Sequence, residues 1–127
     1  GLTNRSRILA YKRGGSAALP ELAPAAPQPM PEPPEQTASA DTIATGKSLY
    51  YQRCVACHGV DVASGGITPD LRYSRAEVHD AWDAIVLEGA LRGRGMPAFD
   101  SIFDGDDSQA VRAFVIDAAQ KAYARQQ

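Results

Sequence analysis

The sequence predicts an all-α domain that begins near residue 41 and extends to residue 127. Three segments in this part carry apolar residues at helical spacing, and a residue that can cap a helix stands at the start of each. We find no convincing strand pattern among them. Residues 17–40, by contrast, hold all but two of the nine prolines. The chain therefore divides into a helical domain and a front part of different character.

The first and last predicted helices each start at an aspartate. Asp41 can cap the first helix, which continues to about Arg53. Its apolar contacts come from Ile43, Leu49 and Tyr50. Asp107 can cap the last helix. The apolar residues of that helix form a single stripe: Val111, Phe114, Val115, Ala118 and Ala122.

The middle predicted helix follows the stretch Ser74-Arg-Ala-Glu77, which has the pattern of a capping box. In that motif the side chains of Ser74 and Glu77 satisfy each other's backbone donors. Three apolar residues then fall at helical spacing: Val78, Trp82 and Ile85. Gly89 is placed to end the helix. Trp82 is expected in the core, with its indole N–H bonded to a partner.

The front part is predicted to contain a strand and a linker. Ile8 to Tyr11 is a short β-like run closed by a Gly-Gly turn. A lone strand is unstable because its backbone groups need a partner, so residues 1–16 are expected to be the terminal strand of another domain. Residues 17–40 are expected to form an extended proline-rich linker that contributes little to folding. Three apolar residues could still anchor it on the domain: Leu19, Leu22 and Met30.

Composition excludes some functional classes. The formal net charge of -2 argues against a general binder of the phosphate backbone, so no nucleic-acid partner is expected. No apolar run is long enough to cross a bilayer, and the start lacks the charged-then-apolar pattern of a secretion signal. Two cysteines cannot specify a disulfide framework, so their number leaves the cellular compartment open.

Both cysteines lie in the motif Cys54-Val-Ala-Cys57-His58, which could hold a disulfide, a zinc ion or a haem. A thioredoxin-like disulfide needs a βαβ pattern, which the sequence lacks. Zinc wants four ligands, and the set reaches four only with the distant His79. Covalent haem fits better, because the thiols of Cys54 and Cys57 can form thioethers with the haem vinyl groups and His58 can bind the iron. A carbonyl within Thr68–Leu71 is expected to orient the His58 ring.

The sixth iron ligand is expected to be Met96. It lies in the loop Gly93–Phe99, where glycine permits close approach of the backbone to a haem and Pro97 stiffens the turn. Met30 is a poor candidate because it lies in the linker, and His79 is expected to be a surface residue. A neutral thioether on iron favours the reduced state and raises the reduction potential.

With these motifs, residues 41–127 resemble a class I c-type cytochrome, a small helical fold around one haem. The residues that carry the resemblance are Gly46 and Tyr50, the Cys-x-x-Cys-His motif, Pro69-Asp-Leu71, Gly95-Met96-Pro97 and the closing helix. In that family the first and last helices cross closely, and Gly46 matches the small residue at the crossing. Its possible partners are Val111, Phe114 and Val115. The family pattern also implies that the Pro69 carbonyl accepts a hydrogen bond from His58 and that Leu71 packs on the haem.

Parts of the domain are similar to the carboxy-terminal cytochrome domain of quinohaemoprotein alcohol dehydrogenases. These parts are Cys57–Arg72, Ile85–Leu91 and Arg94–Phe99. In those enzymes a β-propeller binds pyrroloquinoline quinone (PQQ) and calcium and oxidises an alcohol, and a proline-rich linker leads to the cytochrome. Residues 5–15 are similar to the last propeller strand. The resemblance implies that PQQ and calcium belong to a dehydrogenase domain outside this chain, so no catalytic residue is assigned here.

The resemblance implies one-electron transfer through one covalent haem c in the bacterial periplasm. Electrons would come from the PQQ dehydrogenase domain and pass to an external acceptor, such as a blue copper protein or another cytochrome. One alternative is a stand-alone small cytochrome shuttle. Another is a haem peroxidase, which needs an open sixth position that Met96 should fill. Arg72, Arg92 and Arg94 flank the ligand segments, and Arg72 is expected to pair with a haem propionate.

Overall fold

The computed structural model describes residues 10–18, 21 and 28–127 of the chain. Within these residues the regular structure is helical and contains no strand, as the sequence predicts. The α-helices in this part are α1 (Ala40–Arg53), α2 (Val55–His58), α3 (Ala76–Asp80), α4 (Trp82–Val86) and α5 (Gly105–Ala124). Short 3-10 turns lie at Val60–Val62, Leu71–Tyr73 and Arg92–Arg94. None of the described helices has both the length and the apolar character that crossing a membrane requires.

The front part of the chain is only partly described. The first two residues of the predicted strand Ile8 to Tyr11 lie outside the described residues, and its last two have no regular structure. The predicted turn is present, because the N–H of Gly15 donates to the carbonyl of Lys12 at 3.0 Å. Leu19 and Leu22, two of the three expected linker anchors, also lie outside the described residues.

The domain is organised around the close crossing of α1 and α5. A side-chain carbon at Gly46 would overlap the backbone carbonyl of Ala110 and lie 3.0 Å from the backbone nitrogen of Val111. Only glycine lets two helix backbones approach this closely. The position of Gly46 at the crossing is therefore confirmed. Its contacts are with the α5 backbone, whereas Phe114 and Val115 pack in the core beside it.

The core lies between α1, α4 and α5. Its buried residues are Tyr50, Val62, Trp82, Val86, Phe103, Val111, Phe114 and Val115. The ring centroids of Tyr50 and Phe114 are 5.3 Å apart, a distance typical of a favourable aromatic pair. The predicted stripe of α5 is confirmed, since its first three residues are buried and Ala118 and Ala122 are half-buried.

Both long helices begin earlier than predicted, because the residue that caps each one lies upstream. Ser39 caps α1, where its side-chain oxygen accepts the N–H of Thr42 at 3.1 Å. Asp104 caps α5, where its carboxylate accepts the N–H of Asp107 at 2.9 Å. Asp41 and Asp107 were expected as the caps and instead lie in the first turns. Their negative charge is favourable there because a helix N-terminus carries partial positive charge.

The predicted middle helix is divided into α3 and α4, and its capping box does not form. Ser74 ends the preceding 3-10 turn, with its N–H donating to the carbonyl of Leu71 at 3.1 Å. Helix α3 begins after Arg75 and has no side-chain cap. Ala81 separates the two helices with φ -90° and ψ 14°. Gly89 follows α4 at φ +74°, the left-handed conformation that the sequence predicts for a helix end.

The last part of the proline-rich segment is packed on the domain. Met30 is 7% exposed. The side-chain amide of Gln36 donates to the carbonyl of Ala113 at 2.8 Å, and that of Gln120 donates to the carbonyl of Pro34 at 2.8 Å. These contacts join residues 28–38, which we call the docked linker, to α5. The expectation that the linker contributes little to folding is therefore revised for this stretch, because its removal would take away the buried side chain of Met30 and break two hydrogen bonds.

Replacing Gly46 with alanine should strongly destabilise the domain. The new side-chain carbon would meet backbone atoms of α5, which cannot turn aside, so we expect a loss of about 3 kcal/mol or more in the free energy of unfolding. Gly105→Ala is the matched control, because nothing lies within 4 Å of a side-chain carbon there. It should be neutral or stabilising by up to about 1 kcal/mol. Denaturant unfolding measures both, and equal midpoints for the two variants would contradict the close crossing.

Candidate cofactor site

One cavity of about 690 Å³ collects most of the residues that the sequence singles out. It is lined by Cys54, Cys57, His58, Pro69, Leu71 and Met96. The apolar walls of the cavity are formed by Trp82, Ile85, Val86, Phe99 and Val111. Pockets for sizeable organic ligands range over roughly 300–1,000 Å³. Two thiols, an imidazole and a thioether around such an apolar space fit a haem in both size and donor chemistry.

The two cysteines lie where α1 passes into α2. The N–H of Cys54 donates to the carbonyl of Tyr50 at 2.8 Å, and the N–H of Cys57 donates to the carbonyl of Cys54 at 3.2 Å. This single turn brings both thiols to the cavity, and neither is in a disulfide. Burial, with a smaller effect of the neighbouring Cys57, raises the pKa of Cys54 to about 11. Cys54 is therefore a neutral thiol at ordinary pH, whereas Cys57 is exposed.

His58 is placed to bind a metal through its Nε2 atom. Its Nδ1 lies 3.4 Å from the carbonyl oxygen of Pro69, which is at the long end for a hydrogen bond. A carbonyl can only accept, so this contact selects the tautomer with the hydrogen on Nδ1 and leaves Nε2 with a free lone pair. Burial lowers the pKa of His58, while the bond to Pro69 opposes this. The neutral ring is the form that binds metal ions.

Hydrogen bonds from two hydroxyl groups hold the segment before Pro69 near the cysteine motif. The hydroxyl of Thr68 donates to the carbonyl of Cys57, and the hydroxyl of Ser64 donates to the carbonyl of Thr68. Ser64 is 2% exposed. The loop after α2 is therefore tied to the motif helix just before Pro69. The sequence analysis did not identify Ser64 or Thr68 in this role, since hydroxyl residues in a glycine-containing loop carry no specific signal.

Met96 reaches the same cavity from the loop after α4. Gly95 stands before it with φ +93°, a backbone conformation that favours glycine. The N–H of Met96 donates to the carbonyl of Leu91 at 3.3 Å, which closes the loop. The Met96 side chain is half-buried and packs against the hydrophobic core. This loop thus presents one thioether to the cavity from a part of the chain remote from the cysteine motif.

Trp82 forms part of the cavity wall and has the hydrogen-bond partner that the sequence predicts. It is 5% exposed, and its indole N–H donates to the carbonyl of Ser108 at 3.0 Å. The hydroxyl of Ser108 in turn donates to the carboxylate of Asp83 at 2.7 Å. These bonds hold α4 against the start of α5 and fix the ring of Trp82 beside the cavity.

Arg72, for which pairing with a haem propionate stays a prediction, forms an ion pair with Asp70, a residue that lines the cavity. Its guanidinium binds the carboxylate of Asp70 through two hydrogen bonds, of 2.9 and 2.6 Å, and Arg72 is not among the residues that line the cavity. A planar guanidinium and a carboxylate match in this geometry, which explains the local pairing. Of the three arginines considered, Arg94 is the one that lines the cavity.

The expectation that His79 lies on the surface is wrong. Its side chain is buried, with 4% of the residue exposed, and it stacks on Trp82 with the ring centroids 6.0 Å apart and the planes at 6°. His79 lines a second cavity, which the docked linker covers, and not the cavity of the cysteine motif. In the described part of the chain, no three His, Cys, Asp or Glu side chains form a group that could hold a metal ion.

Two further residues at the site were missed by the sequence analysis in these roles. The hydroxyl of Tyr50, which is fully buried, donates to the carbonyl of Gly59 at 2.7 Å, and burial raises the pKa of this tyrosine. The bond fixes the end of α2. Gln28 also lines the main cavity, so the docked linker begins at the cavity edge. A polar residue in a proline-rich stretch gives no sequence signal for such a position.

Comparisons with known proteins agree with this geometry. Residues 41–115 match the family model described as cytochrome c oxidase, cbb3-type, subunit III. The chain is 37% identical over 123 residues to quinohemoprotein alcohol dehydrogenase ADH IIB of Pseudomonas putida, which covers 97% of this chain and 18% of that protein. It is 35% identical over 124 residues to the dehydrogenase subunit of alcohol dehydrogenase (quinone) from Acetobacter aceti, covering 97% of this chain and 16% of that protein.

A solved structure shows the same fold. The quinohemoprotein alcohol dehydrogenase ADHIIG of Pseudomonas putida superposes with a TM-score of 0.71 and 32% identity, over 90% of this chain and 16% of that one. The chain thus spans less than a fifth of the length of these relatives. The matched range includes the Cys-x-x-Cys-His motif and Met96. The chain belongs to the cytochrome c family that this model describes, and its domain is homologous to the cytochrome domains of quinohemoprotein alcohol dehydrogenases.

Proposed function

We propose that this chain is an electron-transfer domain that carries one covalently attached haem c. The observation that carries the proposal is the convergence of Cys54, Cys57, His58 and Met96 on one apolar cavity of about 690 Å³. Electron transfer at such a site needs a cofactor held in one geometry and protected from water. The buried walls and the fixed loops provide both conditions.

The proposal assigns a distinct role to each of the cavity residues named below. Cys54 and Cys57 attach the cofactor through thioethers, and the turn between them sets the spacing. His58 binds the iron through Nε2 while the Pro69 carbonyl holds its ring. Met96 would supply a further iron ligand from the loop after α4, and Leu71 would pack against the macrocycle.

The proposed iron ligands determine which reaction the site can support. A bound haem supplies an iron that accepts one electron and releases it again. The thioether of Met96 is a neutral ligand that favours the reduced state, so the site is suited to a comparatively high reduction potential. Met96 also occupies the position that a peroxidase would keep open, which argues against that alternative. No proton-transfer group is needed, because the proposed reaction moves a single electron in and a single electron out.

The relatives suggest where the electron comes from. The proteins to which this chain is similar are named as quinohemoprotein or quinone alcohol dehydrogenases, and they extend far beyond the matched part. The proposed donor is accordingly a dehydrogenase domain with PQQ and calcium, joined through residues 17–40. The proposed acceptor is an external redox protein, such as a blue copper protein or another cytochrome. Such an exchange would take place in the bacterial periplasm.

Covalent attachment can be tested directly. The denatured protein should keep its chromophore through extraction with acidified acetone, because thioether bonds survive unfolding. The Cys54→Ala variant should retain one thioether at most or fail to mature, whereas Ser48→Ala, an exposed change on the same helix, should mature normally. Mass spectrometry of the intact chain counts the attached haem. Loss of the chromophore from the wild-type protein into the solvent would refute the assignment.

The sixth ligand has its own spectroscopic test. The oxidised protein should show the weak near-infrared charge-transfer band of sulfur bound to ferric haem iron. Met96→Ala should abolish the band and lower the reduction potential, because water or a stronger donor replaces the thioether. Met30→Ala is the control, since Met30 is the other methionine of the chain and does not line the cavity. If Met30→Ala or His79→Ala removes the band instead, the choice of Met96 is wrong.

The link to a dehydrogenase predicts a tethering effect. In the intact enzyme, a protease site inserted between residues 18 and 28 and then cut should slow reduction of the haem by alcohol, while reduction of the quinone continues. A short linker gives an effective concentration in the millimolar range, so at micromolar enzyme the rate should fall on the order of a hundredfold or more. Stopped-flow absorbance follows both cofactors. The uncut insertion variant is the control, and an unchanged rate after cleavage would show that docking of the domains does the positioning.

A further inference from the structure

A second cavity lies between the docked linker and the domain. Its volume is about 300 Å³, and it is lined by Glu32, Pro33 and Pro34 from the linker, by Ala76, His79 and Asp80 from α3, and by Arg112 from α5. None of these residues lines the cofactor cavity. The linker is therefore seated over a site with its own titratable groups, separate from the proposed haem ligands.

The covered site contains two buried nitrogen atoms without hydrogen-bond partners. They are Nδ1 of His79 and Nε of Arg112. His79 as a whole is 4% exposed. A buried donor or acceptor that lacks a partner costs free energy, and a buried charge without a partner costs more. The docked arrangement thus tolerates a neutral imidazole at His79 but is poorly suited to a charged one.

The charges around His79 reinforce this conclusion. Arg112 faces it from α5 with a positive charge, Asp80 lies next to it on α3, and Glu32 faces the cavity from the linker. Trp82 of α4 stacks on the ring and carries no charge. Burial, followed by the positive charge of Arg112, lowers the pKa of His79, and Asp80 only partly offsets this effect. Neither carboxylate forms a hydrogen bond to the ring.

We propose that His79 makes docking of residues 28–38 sensitive to pH. The neutral ring allows the linker to lie over α3 and α5. Protonation places a second positive charge beside Arg112, on a ring whose buried Nδ1 has no hydrogen-bond partner, and release of the linker exposes both groups to solvent. This device uses residues of the linker and the domain surface and does not depend on the identity of the electron donor.

The direction of the pH effect follows from proton binding. Release of the linker exposes the His79 ring to water, so its pKa then lies closer to the ordinary value of roughly 6.5 than it does in the docked state, where burial and Arg112 lower it. The docked state then binds fewer protons, so docking is at full strength above about pH 6.5 and weakens as the pH falls below this value. The ratio of docked to released linker falls by up to about tenfold per pH unit, until the pKa of the docked state is passed.

Release would change the connection between the domains. Residues 28–38 would no longer be held on the domain, so the span of chain that is not anchored would grow by that length, which lowers the effective concentration of one domain at the other. Gln28 would also leave the edge of the cofactor cavity. Within the proposed function, a fall in pH would therefore loosen the placement of the cytochrome domain relative to its electron donor.

The two methionines allow the linker to be observed in the intact protein. The chain contains only Met30, which is buried in the docked linker, and Met96, which lines the cofactor cavity. With methionine labelled at its methyl carbon, the NMR spectrum of the holoprotein has one signal for each. Between about pH 8 and pH 5, the Met30 signal should move to the position of an exposed methionine, while the Met96 signal stays fixed. The ring signals of His79 should titrate with the same midpoint.

Variants separate His79 from other titrating groups. The His79→Gln variant has no titratable ring, so its Met30 signal should be independent of pH over this range. Glu32→Gln is the matched control in the linker and should keep the transition. If the Met30 signal of the wild-type protein does not change, or if His79→Gln retains the same transition, the proposal is wrong.

A tightening of docking at low pH would also overturn it, because that result would mean that Glu32 or Asp80 pairs with the charged ring. The wild-type titration decides the question even if His79→Gln does not fold, since the midpoints of Met30 and His79 must coincide. Cleavage of the linker by a protease provides a second measurement. Its rate should rise by up to about tenfold for each pH unit below about 6.5, once the activity of the protease itself at each pH is taken into account.

Discussion

The close approach of α1 and α5 at Gly46 is the constraint on which the rest of the domain depends. Helix α1 leads directly into the cysteine motif, so fixing α1 against α5 also fixes where Cys54 enters the cavity. Tyr50, one turn earlier, is fully buried against Phe114, and this contact holds the end of α1 in place. The opposite side of the cavity includes Val111 of α5, next to the crossing itself. One helix contact therefore sets the distance between the motif and the wall that faces it.

The loop after the cysteine motif contains a strained turn. Asp61 and Val62 both have positive φ, of 50° and 65°, which is costly for any residue with a side chain and most of all for a β-branched one. Such a conformation persists only where the surroundings impose it. Val62 is fully buried, and the hydroxyl of Tyr51 donates to the carboxylate of Asp61 at 2.7 Å. Farther along the same loop, the carbonyl of Pro69 lies 3.4 Å from Nδ1 of His58, and the hydrogen bonds of Ser64 and Thr68 hold this part of the loop in place.

The sequence predicted the helices, the crossing and the residues of the cavity better than it predicted details of local geometry. The resemblance to class I cytochromes c placed Gly46 at the crossing, and the apolar stripe of α5 is a strong pattern because a buried face explains it. The capping residues were misplaced because several aspartates and serines stand near each helix start, and only the path of the preceding chain decides between them. The surface position expected for His79 was wrong, because the surroundings of this residue include the docked linker, whose position is set by tertiary packing. The pairing of Arg72 with a haem propionate stays a prediction, and the sequence pattern did not indicate its contact with Asp70.

A pair of stacked rings lies between the two cavities. Trp82 lines the cofactor cavity, His79 lines the cavity beneath the linker, and their planes are almost parallel. The bond from the Trp82 indole to Ser108 anchors that ring to α5, so it can stay in place when the linker moves. Because Trp82 is held from α5 and not from the linker, release of the linker would remove Gln28 from the cavity edge and leave Trp82 in place. Within the proposed function, Trp82 would therefore keep its place in the cavity wall while the docked linker responds to pH.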